Sequence, residues 1–500
     1  MIDGKNEASP ETIQRLIDNS EKGLAQIELS LPLILETRQT LEGVLKKQVD
    51  NNAIQELLLG VLDSLLVENE VIYDLSASLD ALLKANDDYT KRYYMQSMNL
   101  CFVESCRAFV GQKGDKNGLL QRLECLCGQL NLVGCQLLIN HIIDDIQTFR
   151  KGYANRKLRN ITRHYDHPIK MYEEVHKLDN IDFFAKGASQ LMALRMEISV
   201  VSSYLLNLLA PKSRVSPRNV SPQKNGVVQI VNDVVIEMLV NKDFKGGLQK
   251  VLSQAQKVVD DCYRQYSNCR KATALLEERG LNVPDVFKKM ESLIFLRVEA
   301  LYLRYDVACT VWGYINASSD KERSQNLRLI HITKQAALTY IYGYTENTRK
   351  KSLWAKIKSI EEADNEILDT EGVENTLEEL TKDLAADNQK SKMYAHYRYN
   401  ENFYIPNRLD AFGKMLHAKE LEDSLKLLNV CKSLDKYTFD LLRCINDKQE
   451  QDRKKLHDEW MGKIDQLAAP MGNDEKIRDV LKPMRDLIEL AYGDKRGLKN

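Results

Sequence analysis

The chain has 500 residues, enough for two or three ordinary domains, and its 71 Lys and Arg residues nearly balance its 72 Asp and Glu residues. The resulting net charge of −1 excludes a whole-chain electrostatic argument for binding nucleic acid or a membrane surface. Prolines and glycines are few, 10 and 23 respectively, while apolar and charged residues are plentiful, so we expect long amphipathic helices and an all-α fold.

The cysteines and the N-terminus indicate a cytoplasmic protein. The 10 cysteines are scattered, mostly in apolar helical contexts, which is typical of free buried thiols in a reducing compartment. The N-terminal residues are polar and lack the apolar core of a signal peptide. No window approaches the uninterrupted apolar length of a membrane span, so we expect no membrane contact.

Helical patterns follow one another along most of the chain. Ser9 and Pro10 are typical of a helix start, with the proline in the first turn. Apolar residues then recur at helical spacing, for example in residues 57–66 and 191–205. Alternating strand patterns are nearly absent, and a last helical run occupies residues 477–490.

The first clear break lies between Pro211 and Gly226, where three prolines and three serines give the composition of a linker. It nearly bisects the chain. We therefore predict an N-terminal bundle at residues 1–210, a linker at 211–228, a second bundle at 229–450 and a helical extension at 451–500.

A repeat relates the two bundles at a constant offset in residue number. Tyr73-Asp74 recurs as Tyr305-Asp306, and the pattern of residues 88–111 recurs at residues 320–343. The sequence therefore predicts two tandem, pseudo-symmetric helical bundles, with one face of each half packed on the other. In each Tyr-Asp pair we expect the hydroxyl and the carboxylate to satisfy one another inside the bundle.

Basic residues are concentrated between positions 150 and 170, where seven Lys and Arg residues accompany a single Asp. A patch of this size could hold the phosphate backbone of RNA in a salt-dependent way. No feature indicates specificity for DNA. The predicted RNA-binding residues at the start of this stretch are Arg150, Lys151, Arg156 and Lys157.

An arginine, an amide and a histidine follow at helical spacing in Arg159-Asn160-Ile161-Thr162-Arg163-His164. Histidine suits general acid–base chemistry near neutral pH, and the fork of an arginine suits phosphoryl oxygens. Asn160 and His164 share a face on a helix. Because Pro168 disfavours helix at His167, the histidines should lie near a helix end. These residues are therefore a candidate site for cleaving RNA without a metal ion or another cofactor.

The pattern R-N-x-x-x-H in its helical setting resembles the HEPN superfamily of helical-bundle domains, and the continuation His164-Tyr165-Asp166-His167-Pro168 is similar to HEPN sequences too. The resemblance implies a metal-independent RNA endonuclease of prokaryotic defence or toxin–antitoxin systems, in which attack by the 2′-OH leaves a cyclic phosphate end. It also implies that His164 acts as the acid or base, that Arg159 holds the phosphate and that Asn160 orients these groups. Arg163 and His167 are secondary candidates.

The second half departs from this pattern. Ser391 and Lys392 stand where the repeat would place the arginine and the asparagine, and only His396 is retained. Two chains could pair their N-terminal halves, one asymmetric site could combine Arg159, His164 and His396, or the protein could be an inactive HEPN-like scaffold. The non-enzymatic alternative is a helical scaffold or regulator that binds a protein partner, a second copy of the chain or a nucleotide.

An acidic segment precedes the second motif. Eleven acidic residues and one lysine lie between Glu361 and Asp387, so RNA should be repelled there. The segment could also lie against the basic residues of positions 150–170 and mask them from RNA.

Overall fold

In a computed structural model the protein is helical throughout its described part, and no strand occurs in those residues. The predicted all-α class is therefore confirmed. The helix start expected at Ser9, the linker and the run at 477–490 lie outside the described residues. The description covers residues 33–43, 53–112, 118–161, 167–209, 242–278, 285–317, 320–360, 368–395 and 417–468, with a few isolated positions besides.

The first half of the described chain is built from amphipathic helices with polar caps. Asp87 caps the second long helix, since its side chain accepts a hydrogen bond from the Thr90 amide at 2.8 Å. Pro168 occupies the first turn of a later helix, where its missing N–H costs nothing. In order, the helices are α1 (residues 33–43), α2 (Ala53–Lys84), α3 (Asp88–Val110), α4 (Leu119–Gln129), α5 (Val133–Tyr153), α6 (Arg156–Ile161), α7 (Pro168–Val175) and α8 (Ile181–Leu209).

The last described helix of the second half has 52 residues and packs on the long helix Asp285–Asn316. The predicted domain boundary at residue 450 lies inside this last helix, so the chain continues through it without a break. In order, the helices are α9 (Lys242–Glu278), α10 (Asp285–Asn316), α11 (Asp320–Ile341), α12 (Glu346–Lys350), α13 (Leu353–Lys358), α14 (Thr370–Thr381), α15 (Leu384–Ala395) and α16 (His417–Ala468).

The offset found in the sequence recurs at helix ends. α2 and α10 both contain 32 residues, and each end of α10 follows the matching end of α2 by 232 positions. Gly111 and Gly343 have the same separation, follow α3 and α11, and both adopt a positive φ, 68° and 77°. A glycine supplies this left-handed conformation without strain from a side chain.

Residues at matching positions also meet where the halves pack together. Lys84 Nζ donates to the Asn316 carbonyl at 3.4 Å, and Tyr94 Oη donates to Asn326 Oδ1 at 3.4 Å. Both bonds join residues 232 positions apart. Contacts between equivalent residues are expected close to a two-fold axis. They support the tandem pseudo-symmetry, which stays a prediction.

The halves are joined by buried polar bonds among α2, α3, α10 and α11. Arg328 binds both carboxylate oxygens of Asp74, and its Nη1 lies 3.8 Å from a carboxylate oxygen of Glu70. Asp306, at the position matching Asp74, accepts a hydrogen bond from Tyr89 Oη at 2.9 Å. Each aspartate of the Tyr-Asp pairs is thus bound from the third helix of the other half, α11 for Asp74 and α3 for Asp306.

α8 is unusually apolar. It is the one helix within the described ranges whose length and composition would allow it to cross a membrane, and 33% of the apolar window is buried. Core helices of soluble proteins satisfy the same criteria. α8 packs on both α2 and α5.

A buried ion pair joins α8 to α2. Arg195 donates from Nε to Glu68 Oε1 at 2.6 Å, and Glu68 is almost fully buried. The second carboxylate oxygen, Oε2, is enclosed and has no hydrogen-bond partner among the residues described. Burial therefore outweighs the arginine and raises the pKa of Glu68 from 4.5 to about 7.

We expect Glu68→Gln to stabilise the protein at pH 8 and to have little effect at pH 4. Because the pKa of Glu68 is raised in the folded state, the carboxyl does not lower the free energy of unfolding below pH 4.5. It lowers this free energy increasingly as the pH rises to about 7. The shift corresponds to at most about 3 kcal/mol. Denaturant unfolding of both proteins between pH 4 and pH 8 measures this difference.

The matched control is Glu277→Gln, which removes an exposed carboxylate from α9. It should give the pH profile of the wild type. If Glu68→Gln and the wild type instead show parallel profiles, the pKa of Glu68 is not raised.

Candidate functional site

The short helix α6 carries Arg159 and Asn160, and its position is fixed by a buried asparagine. The Asn99 amide, on α3, donates to the Asn155 carbonyl and accepts from the Asn155 amide, both at 2.9 Å. Asn155 Oδ1 in turn accepts from the Leu158 amide at 2.9 Å and caps the helix. The start of α6 is therefore held at one place on α3.

Arg159 points back towards the bundle and binds a buried carboxylate. Its Nη2 donates to Glu104 Oε1 at 2.9 Å, and Glu104 is almost fully buried on α3. Its Nη1 donates to Asn160 Oδ1 at 3.0 Å. Arg107 Nη1 lies 3.4 Å from the same glutamate oxygen. Glu104, Arg159 and Asn160 thus form a chain of polar bonds that sets the orientation of the guanidinium.

Two of the four predicted RNA-binding residues bind other parts of the protein. Arg150 Nη2 donates to the Gly111 carbonyl at 2.7 Å and so ties the end of α5 to the end of α3. Lys157 Nζ donates to Glu174 at 2.7 Å. Hydrogen bonds from Lys157 and from Lys177 lower the pKa of the Glu174 carboxyl.

The other two, Lys151 and Arg156, line an open groove of about 620 Å³ between the end of α5, α6 and the start of α8. Lys177 adds a third cation to its lining, which also contains the carboxylates of Glu174 and Asp179. Phe183 is partly exposed in the groove, and its ring centroid lies 5.1 Å from that of Tyr153. Cations beside exposed aromatic faces can hold phosphates and stack bases.

The histidines of the motif are placed only in part. His167 is exposed and immediately precedes α7, so Pro168 begins a helix here, whereas we expected His167 to end the helix of the motif. α6 ends at Ile161, so Arg163 and His164 lie outside the described residues. His396 also lies outside them, directly after α15.

Three of the described acidic side chains of positions 361–387 bind lysines of the second half. Glu374 accepts from Lys358 at 3.0 Å, and Glu379 accepts from Lys426 at 2.8 Å. α14, which carries both glutamates, packs on α16 and α11. These contacts do not involve positions 150–170. They therefore do not support the hypothesis that the acidic segment masks the basic residues.

Glu104 and Asn99 are site residues that the sequence did not indicate. Both lie on the buried face of α3. The helical pattern of the sequence does not show whether such a polar residue is exposed to solvent or is buried with a partner far away in the chain. The partner of Glu104 is 55 positions away and that of Asn99 is 56 positions away. A carboxylate and an amide among the buried residues of α3 were the available signal, because buried polar groups need partners.

Within the described ranges, no group of three or more His, Cys, Asp or Glu side chains is arranged to hold a metal ion. All 10 cysteines are free thiols, as expected from their scattered positions, and Cys125 and Cys444 are the exposed ones. Comparison of the chain with protein-family models, with curated proteins and with solved structures finds no match.

Proposed function

We propose that this chain is a HEPN-like, metal-independent RNA endonuclease, or a derivative of one, of the kind found in prokaryotic defence and toxin–antitoxin systems. The observation that carries the proposal is the chain of bonds from buried Glu104 through Arg159 to Asn160, beside a groove lined by Lys151 and Arg156. A guanidinium that is oriented in advance loses little freedom when it binds a phosphate.

The chemistry assigned to this site is attack of a ribose 2′-OH on the adjacent phosphorus. The 2′ oxygen forms a bond to phosphorus while the bond to the 5′ oxygen of the next nucleotide breaks. His164 takes the hydroxyl proton or supplies a proton to the leaving oxygen, and Arg159 neutralises charge on the phosphoryl oxygens. The products are a cyclic phosphate end and a free 5′-hydroxyl, with no metal ion required.

The second half is proposed to be a degenerate copy of the first. Ser391 is buried and Lys392 is exposed on α15, so neither supplies an arginine fork at the matching place. A complete site would then combine the first motif with His396, or with the first motif of a second chain. If neither combination exists, the protein is an inactive HEPN-like scaffold.

The alternative function is a non-catalytic scaffold, and one observation favours it. The ion pair between Arg159 and Glu104 is itself a structural bond, because it neutralises a carboxylate that has almost no contact with water. A phosphate would have to share this arginine with Glu104. An arginine kept only for stability would predict folding defects, but no change in RNA chemistry, when it is replaced.

In a cleavage assay with end-labelled single-stranded RNA and excess chelator, we expect His164→Ala to lower the rate by about 100-fold or more. Arg159→Lys should lower it as well, because an ammonium cannot reproduce the oriented fork. His141→Ala is the matched control, since His141 is an exposed histidine on α5 and should leave the rate unchanged. Circular dichroism melting curves show whether each variant is folded.

A second variant separates the groove from the motif. Lys151→Glu with Arg156→Glu should weaken RNA binding and reduce its salt dependence while the fold stays intact. If the wild type cuts no RNA, or if a folded His164→Ala protein cuts as fast as the wild type, the endonuclease proposal is wrong and the scaffold remains.

A further inference from the structure

α8 exposes an apolar stripe along its C-terminal half. Four large side chains recur there at a spacing of four residues, on the face turned away from the bundle. α5, which packs beside α8, exposes three more near its N-terminus. All seven are between 49% and 67% exposed, and they are Met196, Val200, Tyr204 and Leu208 on α8 with Val133, Leu137 and Leu138 on α5.

The two groups lie on neighbouring parts of the surface because the helices are antiparallel. The end of α5 meets the start of α8, where the rings of Tyr153 and Phe183 are 5.1 Å apart. One helical turn or more further along, Ile146 and Ile198 line the same small cavity. The start of α5 is therefore placed beside the last turns of α8.

The size of this surface exceeds what a monomer usually exposes. A large apolar side chain that is half to two-thirds exposed presents on the order of 100 Å², so the seven present about 700 Å², whereas the largest patch of a typical monomer is roughly 300–600 Å². In a standard interface each partner buries about 800 Å². The stripe thus has the area of one side of a stable interface.

The chemistry of the stripe favours protein over lipid or nucleic acid. Glu197 is the only charged residue in positions 196–208, so the surface offers no cation to a phosphate or a lipid headgroup. α8 is also fixed in the bundle by Arg195, which binds the buried Glu68 at 2.6 Å. A helix that is packed on two neighbours and joined by a buried ion pair is not available to span a bilayer.

We propose that a second copy of this chain covers the stripe, in a symmetric dimer with α8 packed on α8. In an antiparallel pair centred between Val200 and Tyr204, these two residues face each other across the interface, and Met196 faces Leu208. The surface is therefore complementary to itself under a two-fold rotation, as such an interface requires.

The spacing of the stripe also sets the packing geometry. Side chains four residues apart form the ridges that interdigitate when two helices cross at about 50°. Val200 and Tyr204 lie at the centre of this crossing, where contacts contribute most to affinity. The three apolar residues of α5 would then contact the flank of the second α8.

Sedimentation of the full-length wild-type protein is expected to give twice the chain mass of 57.5 kDa at micromolar concentrations. Val200→Glu should raise the dissociation constant by about 100-fold or more, because a symmetric interface buries the new charge twice. Leu275→Glu is the matched control, since Leu275 is a similarly exposed apolar residue on α9 and should leave the dimer intact. Melting curves confirm that both variants fold.

Oxidative cross-linking distinguishes this dimer from any other. Ser203→Cys introduces an exposed thiol close to the centre of the stripe, and it should form an intermolecular disulfide that the wild type, with Cys125 and Cys444 exposed, does not form. A monomeric wild type, a dimer that survives Val200→Glu, or flotation of the wild type with phosphatidylcholine vesicles would each overturn the proposal. None of these results depends on RNA cleavage, so the two proposals fail separately.

Discussion

Arg328→Met is expected to destabilise the protein by about 3–5 kcal/mol, one of the largest effects of any single substitution in this fold. Arg328 is the cation between two buried carboxylates, binding both oxygens of Asp74 and approaching Glu70 to 3.8 Å. Methionine fills a similar volume and leaves both carboxylates without their cation. The denaturant midpoint, followed by far-ultraviolet circular dichroism, measures the loss.

A double replacement tests whether the cost comes from the uncompensated charge. Asp74→Leu combined with Arg328→Met removes the closest pair together, and its stability should return most of the way to that of the wild type. Arg264→Met, at an exposed arginine that binds Asp261, should change stability by less than about 1 kcal/mol. If the single and double variants are equally destabilised, the loss of stability comes from altered side-chain packing and not from the uncompensated charge.

The bonds between the two halves of the chain could not be predicted from the sequence. Helical periodicity is local, so the all-α class could be predicted from neighbouring residues. The constant offset between the two halves predicted a relation between distant parts of the chain, because it comes from comparing the sequence with itself. It matched α2 with α10 to the residue at both ends. The sequence contains no comparable signal that shows which distant side chains bind each other.

The Tyr-Asp pairs illustrate the difference. The sequence placed both aspartates inside the bundle, and both are buried. It could not indicate that Arg328, which lies 254 positions from Asp74, would be the partner of one. Nor could it indicate Tyr89 as the partner of Asp306. A buried carboxylate needs a donor, but the choice among donors is made by the packing of helices.

The candidate site divides in the same way. Arg159 and Asn160 were recognised from local spacing, and they do contact each other at 3.0 Å. Glu104, which orients the arginine, and Asn99, which fixes α6, come from a helix that local spacing does not connect with the motif. The helical periodicity of residues 191–205 belongs to the buried face of α8, and only the packed structure shows the outward apolar stripe.

Gly313→Ala is expected to cost about 2–4 kcal/mol, although alanine usually stabilises a helix relative to glycine. Gly313 lies on α10 against the Tyr94 side chain of α3. A methyl group there would overlap the Tyr94 hydroxyl and would lie 2.6 Å from Asn326 Oδ1. Tyr94 is fully buried, so moving its ring would also break its hydrogen bond to the Cys309 carbonyl, now 3.0 Å long. Thermal and denaturant unfolding measure the change.

Removal of the overlapping atom should rescue the variant. Tyr94→Phe gives up the contacts of the hydroxyl with Cys309 and Asn326 but makes room for the methyl group, so Gly313→Ala should cost at least about 1 kcal/mol less in that background. Gly247→Ala is the matched control, because a methyl group at this position on α9 meets nothing within 4 Å. It should stabilise the protein by about 0.5–1 kcal/mol through helix propensity. Equal costs for Gly313→Ala with and without the hydroxyl would mean that the two halves do not meet at Tyr94, and the interface between them would need to be redrawn.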